Sequence, residues 1–177
     1  MKMNIFYKKI LLLICIISIN QLVEAQNKYS KTIEKTLAMP ANSEFQIENK
    51  YGNIEITGWD KSNIEIIANI QVFDKKDDQA LDLLNRIQSE IKMIGDVIAV
   101  NSEIVDKNPS AMSSFFNRIN PIVLDKSNVQ INYTIHLPKN VKTDLNNRFG
   151  DVMVNNYFGY FTANVEHGNI TINNDIN

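Results

Sequence analysis

Apolar and polar residues alternate along most of this sequence with a period of two. After a polar lead-in over residues 26 to 44, the alternation is clear from residue 45 to 72, and it returns over residues 97 to 104 and 129 to 137. Strands that bury one face have this period, because successive side chains point to opposite faces of a sheet. The pattern predicts a mostly β protein with one apolar core, in which the lead-in forms an edge strand and a loop.

A nine-residue frame repeats near the C-terminal end of the chain. Gly150, Gly159 and Gly168 are nine positions apart, and each is followed by apolar residues two and four places later. A fixed period is typical of stacked units that bury their faces on one another. The frame also occurs upstream, at residues 51 to 56. Six frame positions are therefore expected to point inward: Val152, Val154, Phe161, Ala163, Ile170 and Ile172.

Each repeat also has an asparagine five places after its glycine, at Asn155, Asn164 and Asn173. A turn is expected at each, because asparagine tolerates left-handed backbone angles and can bond its own backbone. If two frames form one coil, Asn155 and Asn173 lie on one side and Asn164 on the other. If one frame forms a coil, all three lie in a single column.

One segment departs from the β pattern. Apolar residues at positions 80, 84, 87, 91 and 94 are separated by four and three residues, which is the spacing of one helix face. Asp77 and Asp78 precede this run, and Lys92 and Gly95 end it, as expected for the two termini of a helix. The sequence therefore predicts one amphipathic α-helix over residues 77 to 94.

The first 25 residues have the pattern of a secretory signal peptide. Lys2, Lys8 and Lys9 precede an apolar run over residues 10 to 19, and a small-residue cleavage site ends at Ala25. The apolar run is about half of the roughly 20 residues that a spanning helix needs. Cleavage after Ala25 is expected to leave residues 26 to 177 as a single exported domain, without a transmembrane segment, in the periplasm or at the cell surface.

Charge and cysteine content narrow the chemistry of this exported chain. Cleavage would remove three of the 18 basic and one of the 20 acidic residues, which leaves 15 and 19 and a formal net charge of −4. An acidic chain without a basic stripe argues against a nucleic-acid partner. The single cysteine, Cys15, lies in the leader, and His136 and His167 have no clustered ligands beside them. No disulfide, metal or other cofactor is therefore expected.

A long segment over residues 105 to 127 carries the adjacent rings of Phe115 and Phe116. Segments of this length inside a compact domain are usually functional or disordered. The two rings either protrude towards a partner or a membrane, or they fold back and close an open end of the core. Both interpretations remain open from the sequence.

Two further features offer a contact surface. Gln130, Asn132 and Thr134 occupy the polar positions of the strand that follows the long segment, and they form a neutral hydrogen-bonding face. Trp59 is predicted to lie in a turn, where its ring either covers the end of the core or stacks on a carbohydrate. With Phe115 and Phe116, these residues are the predicted partner contacts.

A series of motifs resembles a known family. The motifs are Asn49-Lys50-Tyr51-Gly52-Asn53-Ile54-Glu55-Ile56, Trp59-Asp60-Lys61, Ile131-Asn132-Tyr133, Leu137-Pro138 and Asn147-Arg148-Phe149-Gly150-Asp151-Val152. In this order they resemble the bacterial "putative adhesin" family of β-strand-repeat domains, which is related to the head domains of autotransporter adhesins. The resemblance implies a β-solenoid of stacked strands in the cell envelope, with no catalytic residues to carry over. Family members usually continue with further repeats, which leaves open a C-terminal truncation of the domain.

The expected function is therefore that of an exported, non-catalytic, adhesin-like binding or structural module whose partner is an envelope protein or a glycan. A periplasmic envelope-stress or regulatory component that binds another protein is the alternative. A carbohydrate-active enzyme on a β-helix is less favoured, because Asp144, Asp151, Glu166 and Asp175 are too scattered to nominate an acid pair. The chain also has no nucleophile elbow, phosphate loop or dinucleotide fingerprint.

Overall fold

The computed structural model describes residues 27 to 105 and 128 to 174. The expected signal peptide and the rings of Phe115 and Phe116 lie outside these residues. Within the two ranges the chain forms eleven strands and one helix. In chain order the elements are β1 (Asn27–Ala38), β2 (Glu44–Tyr51), β3 (Ile54–Trp59), β4 (Asn63–Asp74), α1 (Asp77–Arg86), β5 (Ile87–Ile94), β6 (Val97–Ile104), β7 (Val129–Pro138), β8 (Lys142–Phe149), β9 (Val152–Asn155), β10 (Phe161–His167) and β11 (Ile170–Asn173).

The strands form two mixed sheets, and the predicted β-solenoid is wrong. The six-stranded sheet has the order β1-β4-β7-β3-β9-β11, and the five-stranded sheet has the order β10-β8-β2-β6-β5. β4 runs antiparallel to both of its neighbours, and β5 runs antiparallel to β6, while the remaining pairs are parallel. The chain therefore reverses direction within each sheet, whereas a solenoid winds in one direction and pairs each unit with the next one along the sequence.

The repeated frame nevertheless forms a repeated local structure, a strand, a two-residue turn and a second strand. β2 and β3, β8 and β9, and β10 and β11 are three such units, and each unit contributes one strand to each sheet. Asn155 pairs with Asn173 in the six-stranded sheet, whereas Asn164 pairs with Asn146 in the other. The predicted placement of the asparagines for two frames per coil is confirmed. The turn predicted at each asparagine is wrong for Asn164, which lies inside β10, while Asn155 and Asn173 are the last residues of their strands.

The turns of these units lie directly on one another. Gly52 and Gly150 have φ angles of +118° and +134°, which favour glycine. A Cβ atom on Gly150 would lie 2.2 Å from the carbonyl oxygen of Gly52, so a side chain would also block the approach of the two turns. Beside the turns, the rings of Tyr51, Phe149 and His167 form a stacked column, with centroids 5.8 and 4.9 Å apart.

The helix is shorter than predicted, because residues 87 to 94 form β5 instead of its C-terminal half. Ile87 has extended φ and ψ angles of −76° and 124° and ends α1. All eight residues of β5 then pair with β6. Ile87 and Ile91 are both buried, and a spacing of four fits either a helix or a strand. Ile94, which the helical pattern places on the buried face, is 66% exposed. The described ranges contain no helix long and apolar enough to cross a membrane.

The core lies between the two sheets and consists mainly of isoleucine, valine and leucine from the alternating positions. Of the six frame positions predicted to point inward, Val152 and Val154 are buried, and Phe161 and Ala163 are partly buried against the core. The prediction of burial is wrong for the other two positions, Ile170 and Ile172. Ile170 and Ile172 are 43% and 55% exposed, because they lie on an edge strand.

Candidate functional site

The outward side chains of β7 form a line across the outer face of the six-stranded sheet. Gln130, Asn132, Thr134 and His136 are exposed or partly exposed and alternate with buried residues from Val129 to Leu137. The predicted polar face of this strand is confirmed. At about 3.3 Å per residue, these four side chains span roughly 20 Å. β7 lies between β4 and β3, so this line runs along an interior strand.

Trp59 extends this line at one end. Trp59 was predicted to lie in a turn, but it is the last residue of β3. β3 pairs with β7, and Trp59 is the partner of Pro138. The indole ring stacks on His136 with centroids 5.3 Å apart, and its Nε1 donates to the carbonyl oxygen of Asn63 at 2.8 Å. The ammonium group of Lys61 lies 4.2 Å from the ring centroid. The ring is thus held against the outer face of the sheet.

β4 adds two amides beside this line. Asn69 pairs with Asn132, and Gln71 pairs with Gln130, so the four amides form two adjacent cross-strand pairs. Gln71 Nε2 donates to Asn69 Oδ1 at 2.9 Å, which fixes part of the cluster. We call these four residues the amide patch. The alternation within β4 places Asn69 and Gln71 outward, but no local signal in the sequence shows that β4 is the neighbour of β7.

A cavity of about 230 Å³ opens at the other end of the line, where β7 meets the turns. Its lining residues are Tyr51, Gly52, Asn53, Val129, Gln130, Asn132, Phe149 and Gly150. Asn132 Oδ1 accepts the main-chain N–H of Asn53 at 2.8 Å, and Asn53 Oδ1 accepts that of Asp151 at 2.9 Å. These bonds hold the side-chain carbonyls of Asn132 and Asn53 against the main chain of the turns, at the side of the cavity where the amide patch begins.

Charges of both signs lie beside the line. Glu55 is the neighbour of Thr134 on β3, and its Oε1 accepts from Asn155 Nδ2 at 3.3 Å. The Oε2 atom of Glu65 lies 3.4 Å from Nδ1 of His136, and Lys139 forms an ion pair of 3.0 Å with Asp60. Below the sheet, burial raises the pKa of the Tyr133 hydroxyl, which contacts the hydroxyl of Ser89 at 2.8 Å. The surface from the amide patch to Trp59 therefore offers hydrogen-bonding groups with little net charge.

A second concave surface lies on the outer face of the five-stranded sheet, with a volume of about 330 Å³. Its polar lining includes Gln46, Glu48, Asn101, Asp144 and Asn146. It contains two carboxylates and no aromatic ring, so its chemistry differs from that of the line along β7. Among residues 27 to 105 and 128 to 174, no group of three or more histidine, cysteine or acidic side chains is placed to hold a metal ion.

The structure thus brings together four of the six predicted contact residues. Trp59, Gln130, Asn132 and Thr134 lie in one line on one face, although Trp59 is 71 or more positions from the others in the sequence. Sequence reasoning did not connect His136 with Trp59, and it missed the contribution of Asn69 and Gln71. The contacts predicted for Phe115 and Phe116 fall outside the described residues.

No protein-family model and no curated protein matches the chain. Solved structures with similarity include a "putative cell adhesion protein" from Clostridium sporogenes (11% identity, TM-score 0.45) and a "putative lipid binding protein" from Parabacteroides distasonis (11%, 0.43). A "putative adhesin" from Parabacteroides merdae is 9% identical with a TM-score of 0.36.

These similarities cover 80%, 83% and 80% of this chain, and the chain spans only 59%, 53% and 56% of the respective proteins. Two of the three names concern adhesion. Identities of 11% and below, with TM-scores below 0.5, do not show membership of a family.

Proposed function

We propose that this protein is a non-catalytic binding module of the cell envelope that binds a neutral glycan along β7, from the amide patch to Trp59. The observation that carries the proposal is the alignment of Trp59, His136, Thr134 and the amide patch on one exposed sheet face. The outward residues of β7 span roughly 20 Å. An extended polymer lying along the strand would contact all of them at once.

The chemistry of the amide patch favours a ligand with hydroxyl groups. Each asparagine or glutamine side chain offers two N–H donors and a carbonyl acceptor, so one amide can bond to neighbouring hydroxyl groups that both donate and accept. Gln130 is exposed at the edge of the cavity. The indole of Trp59 adds an aromatic surface at the far end, where displacement of the Lys61 side chain would open a ring face to a sugar.

A peptide partner that adds a strand is disfavoured at this face. Strand addition requires free main-chain N–H and C=O groups at the edge of a sheet. β7 is paired on both sides, with β4 and with β3, so its main-chain groups are used within the sheet. A ligand on this face must therefore bind to side chains.

The envelope location and the absence of catalysis in this proposal rest on the sequence. The leader pattern supports export, and the motif series supports an adhesin-like module. Because the surface has little net charge, we expect binding to change little with added salt, since few charges are available to be screened.

A matched pair of variants tests the proposal. Gln130→Ala removes an exposed amide from the amide patch, and Gln46→Ala removes an exposed amide from the outer face of the other sheet. Binding to an array of bacterial and host oligosaccharides identifies the ligand, and titration calorimetry then measures its affinity. We expect Gln130→Ala to weaken binding by about tenfold, which corresponds to the loss of one or two hydrogen bonds.

Gln46→Ala is expected to leave that affinity unchanged, and both variants should unfold at the temperature of the parent chain. Loss of binding in Gln46→Ala alone would place the site on the five-stranded sheet. Absence of any glycan ligand, together with retention of a protein from envelope extract, would favour the protein-binding alternative instead.

A further inference from the structure

One nitrogen atom in the line along β7 is buried without a hydrogen bond. His136 Nδ1 has no hydrogen-bond partner among the described residues, although Oε2 of Glu65 lies 3.4 Å away. This separation is short enough for an ion pair, but its alignment is too poor for a hydrogen bond. Because buried polar atoms in native proteins are nearly always bonded, an exception within a candidate site points to a role for this nitrogen.

Glu65 is the charged group that a proton on His136 would meet. By register, Glu65 on β4 and Thr57 on β3 flank His136, and Thr57 carries no charge. An opposite charge at this distance stabilises the charged form of a histidine. Other charged groups of the adjoining strand and turns are bonded elsewhere: Glu55 to Asn155, and Asp60 to Lys139.

The indole of Trp59 connects His136 with a lysine. The two rings stack with centroids 5.3 Å apart and an angle of 24° between their planes. The ammonium group of Lys61 lies 4.2 Å from the centroid of the same indole. A cation in this position is attracted by the electron density of the ring. Protonation of His136 would therefore place a second positive charge on the indole that Lys61 already occupies.

We propose that His136 is a proton-sensing residue that controls access to Trp59, and the benefit of this control for glycan binding rests on the proposed function. When His136 takes up a proton, its imidazolium pairs with Glu65 and contacts the indole. Two cations on one indole repel each other, so the exposed side chain of Lys61 leaves the ring for solvent. Acid thus opens a face of Trp59 to a sugar, since histidine ordinarily changes its charge between about pH 5 and 8.

The emission of Trp59 reports the proton on His136, because Trp59 is the single tryptophan of the chain and a positive charge on an indole changes its emission. The parent protein should show one transition between about pH 5 and 8. His136→Gln should abolish it, whereas His167→Gln, which removes the other histidine, should keep it. Glu65→Gln should move the transition to lower pH, because it removes the charge that favours the imidazolium.

Quenching of this emission by acrylamide measures access to the ring, and calorimetry measures its effect on binding. Quenching should rise as the pH falls through the transition, and in Lys61→Ala it should already be high at about pH 8. The parent protein should bind the glycan found on the array about two- to fivefold more tightly at about pH 5 than at about pH 8, the usual contribution of an exposed cation–π contact. Lys61→Ala should bind it equally at both pH values.

Emission and quenching need no ligand, so they decide the role of His136 even if no glycan binds and the proposed function fails. Three results would overturn the proposal: an emission transition that is absent or that survives in His136→Gln, quenching that does not change with pH, or equal glycan affinity of the parent protein at both pH values. The last result would leave the glycan site itself in place.

Discussion

The unit formed by β8 and β9 and the unit formed by β10 and β11 share one sequence frame and one backbone arrangement, yet they differ in burial. Val152 and Ile170 occupy the same frame position and pair with each other, but they are 1% and 43% exposed. The first unit is covered on both sides, by β2 and β3 and by β10 and β11, whereas the second lies at the edge. An apolar residue at this frame position is therefore buried only where strands cover it on both sides.

The two units also differ at the polar position that precedes the turn. Asn147 is fully buried, and its Nδ2 donates to the carbonyl oxygens of Gly52 and Gly150 at 3.1 and 3.0 Å. Its Oδ1 accepts from Asn49 Nδ2 at 3.2 Å. In the last unit Val165 pairs with Asn147 and occupies the same position. The buried amides thus connect only the two units that have strands on both sides.

The largest expected difference between the two units concerns the first apolar position after the turn. Val152→Asp places a carboxylate in the core and should lower the free energy of unfolding by about 4 kcal/mol or more, or prevent folding. Ile170→Asp places the carboxylate at an exposed edge and should cost less than about 1 kcal/mol. Urea unfolding of both variants measures this, and equal losses would contradict the difference in burial.

An intermediate effect is expected at the position before the turn. Asn147→Val introduces the residue of the last unit and removes the buried amide that bonds the carbonyls of Gly52 and Gly150. Asn49 Nδ2 keeps its bond to the carbonyl oxygen of Ile131 at 3.1 Å. We expect a loss of about 2 to 3 kcal/mol, since unsatisfied buried polar groups are costly. The reciprocal change Val165→Asn should alter stability by less than about 0.5 kcal/mol. The same urea titration compares them, and a neutral Asn147→Val would show that the amide ladder is dispensable.

The smallest effect concerns two tyrosines, Tyr157 and Tyr160. Tyr157 is 4% exposed, its hydroxyl bonds to Val141 and Thr143, and burial raises its pKa above the usual value of 10. Tyr157→Phe should cost about 1 kcal/mol at neutral pH, the usual contribution of a hydrogen bond. The exposed Tyr160→Phe is the control and should change stability little at neutral pH.

The pH dependence of the Tyr157 variant has a defined sign. With its folded pKa raised, the tyrosine contributes stability that is fully present below pH 10 and is lost as the pH rises through the folded pKa, because the unfolded chain ionises first. Tyr157→Phe should therefore lose less stability than the parent chain above pH 10. Thermal unfolding from pH 7 to 11 measures this, and parallel curves for the two proteins would refute it.

Much of the local structure could be predicted from the sequence. The strands around residues 45 to 72 and the polar face of β7 follow from a period of two, which depends only on neighbouring residues along the chain. The helix was too long in the prediction, because Ile87 and Ile91 are spaced in a way that both a helix and a strand allow. Pairing of β5 with β6 decided between them.

The sequence alone determined the inward and outward positions of most strands. Only the tertiary structure decided that β4 lies beside β7, that Trp59 stacks on His136, and that the sheets are mixed. These contacts join residues that are distant in the chain, and their pairing depends on competition among all strands for neighbours. Burial of Ile170 was likewise not a property of its frame, because an apolar position is buried only where another element covers it.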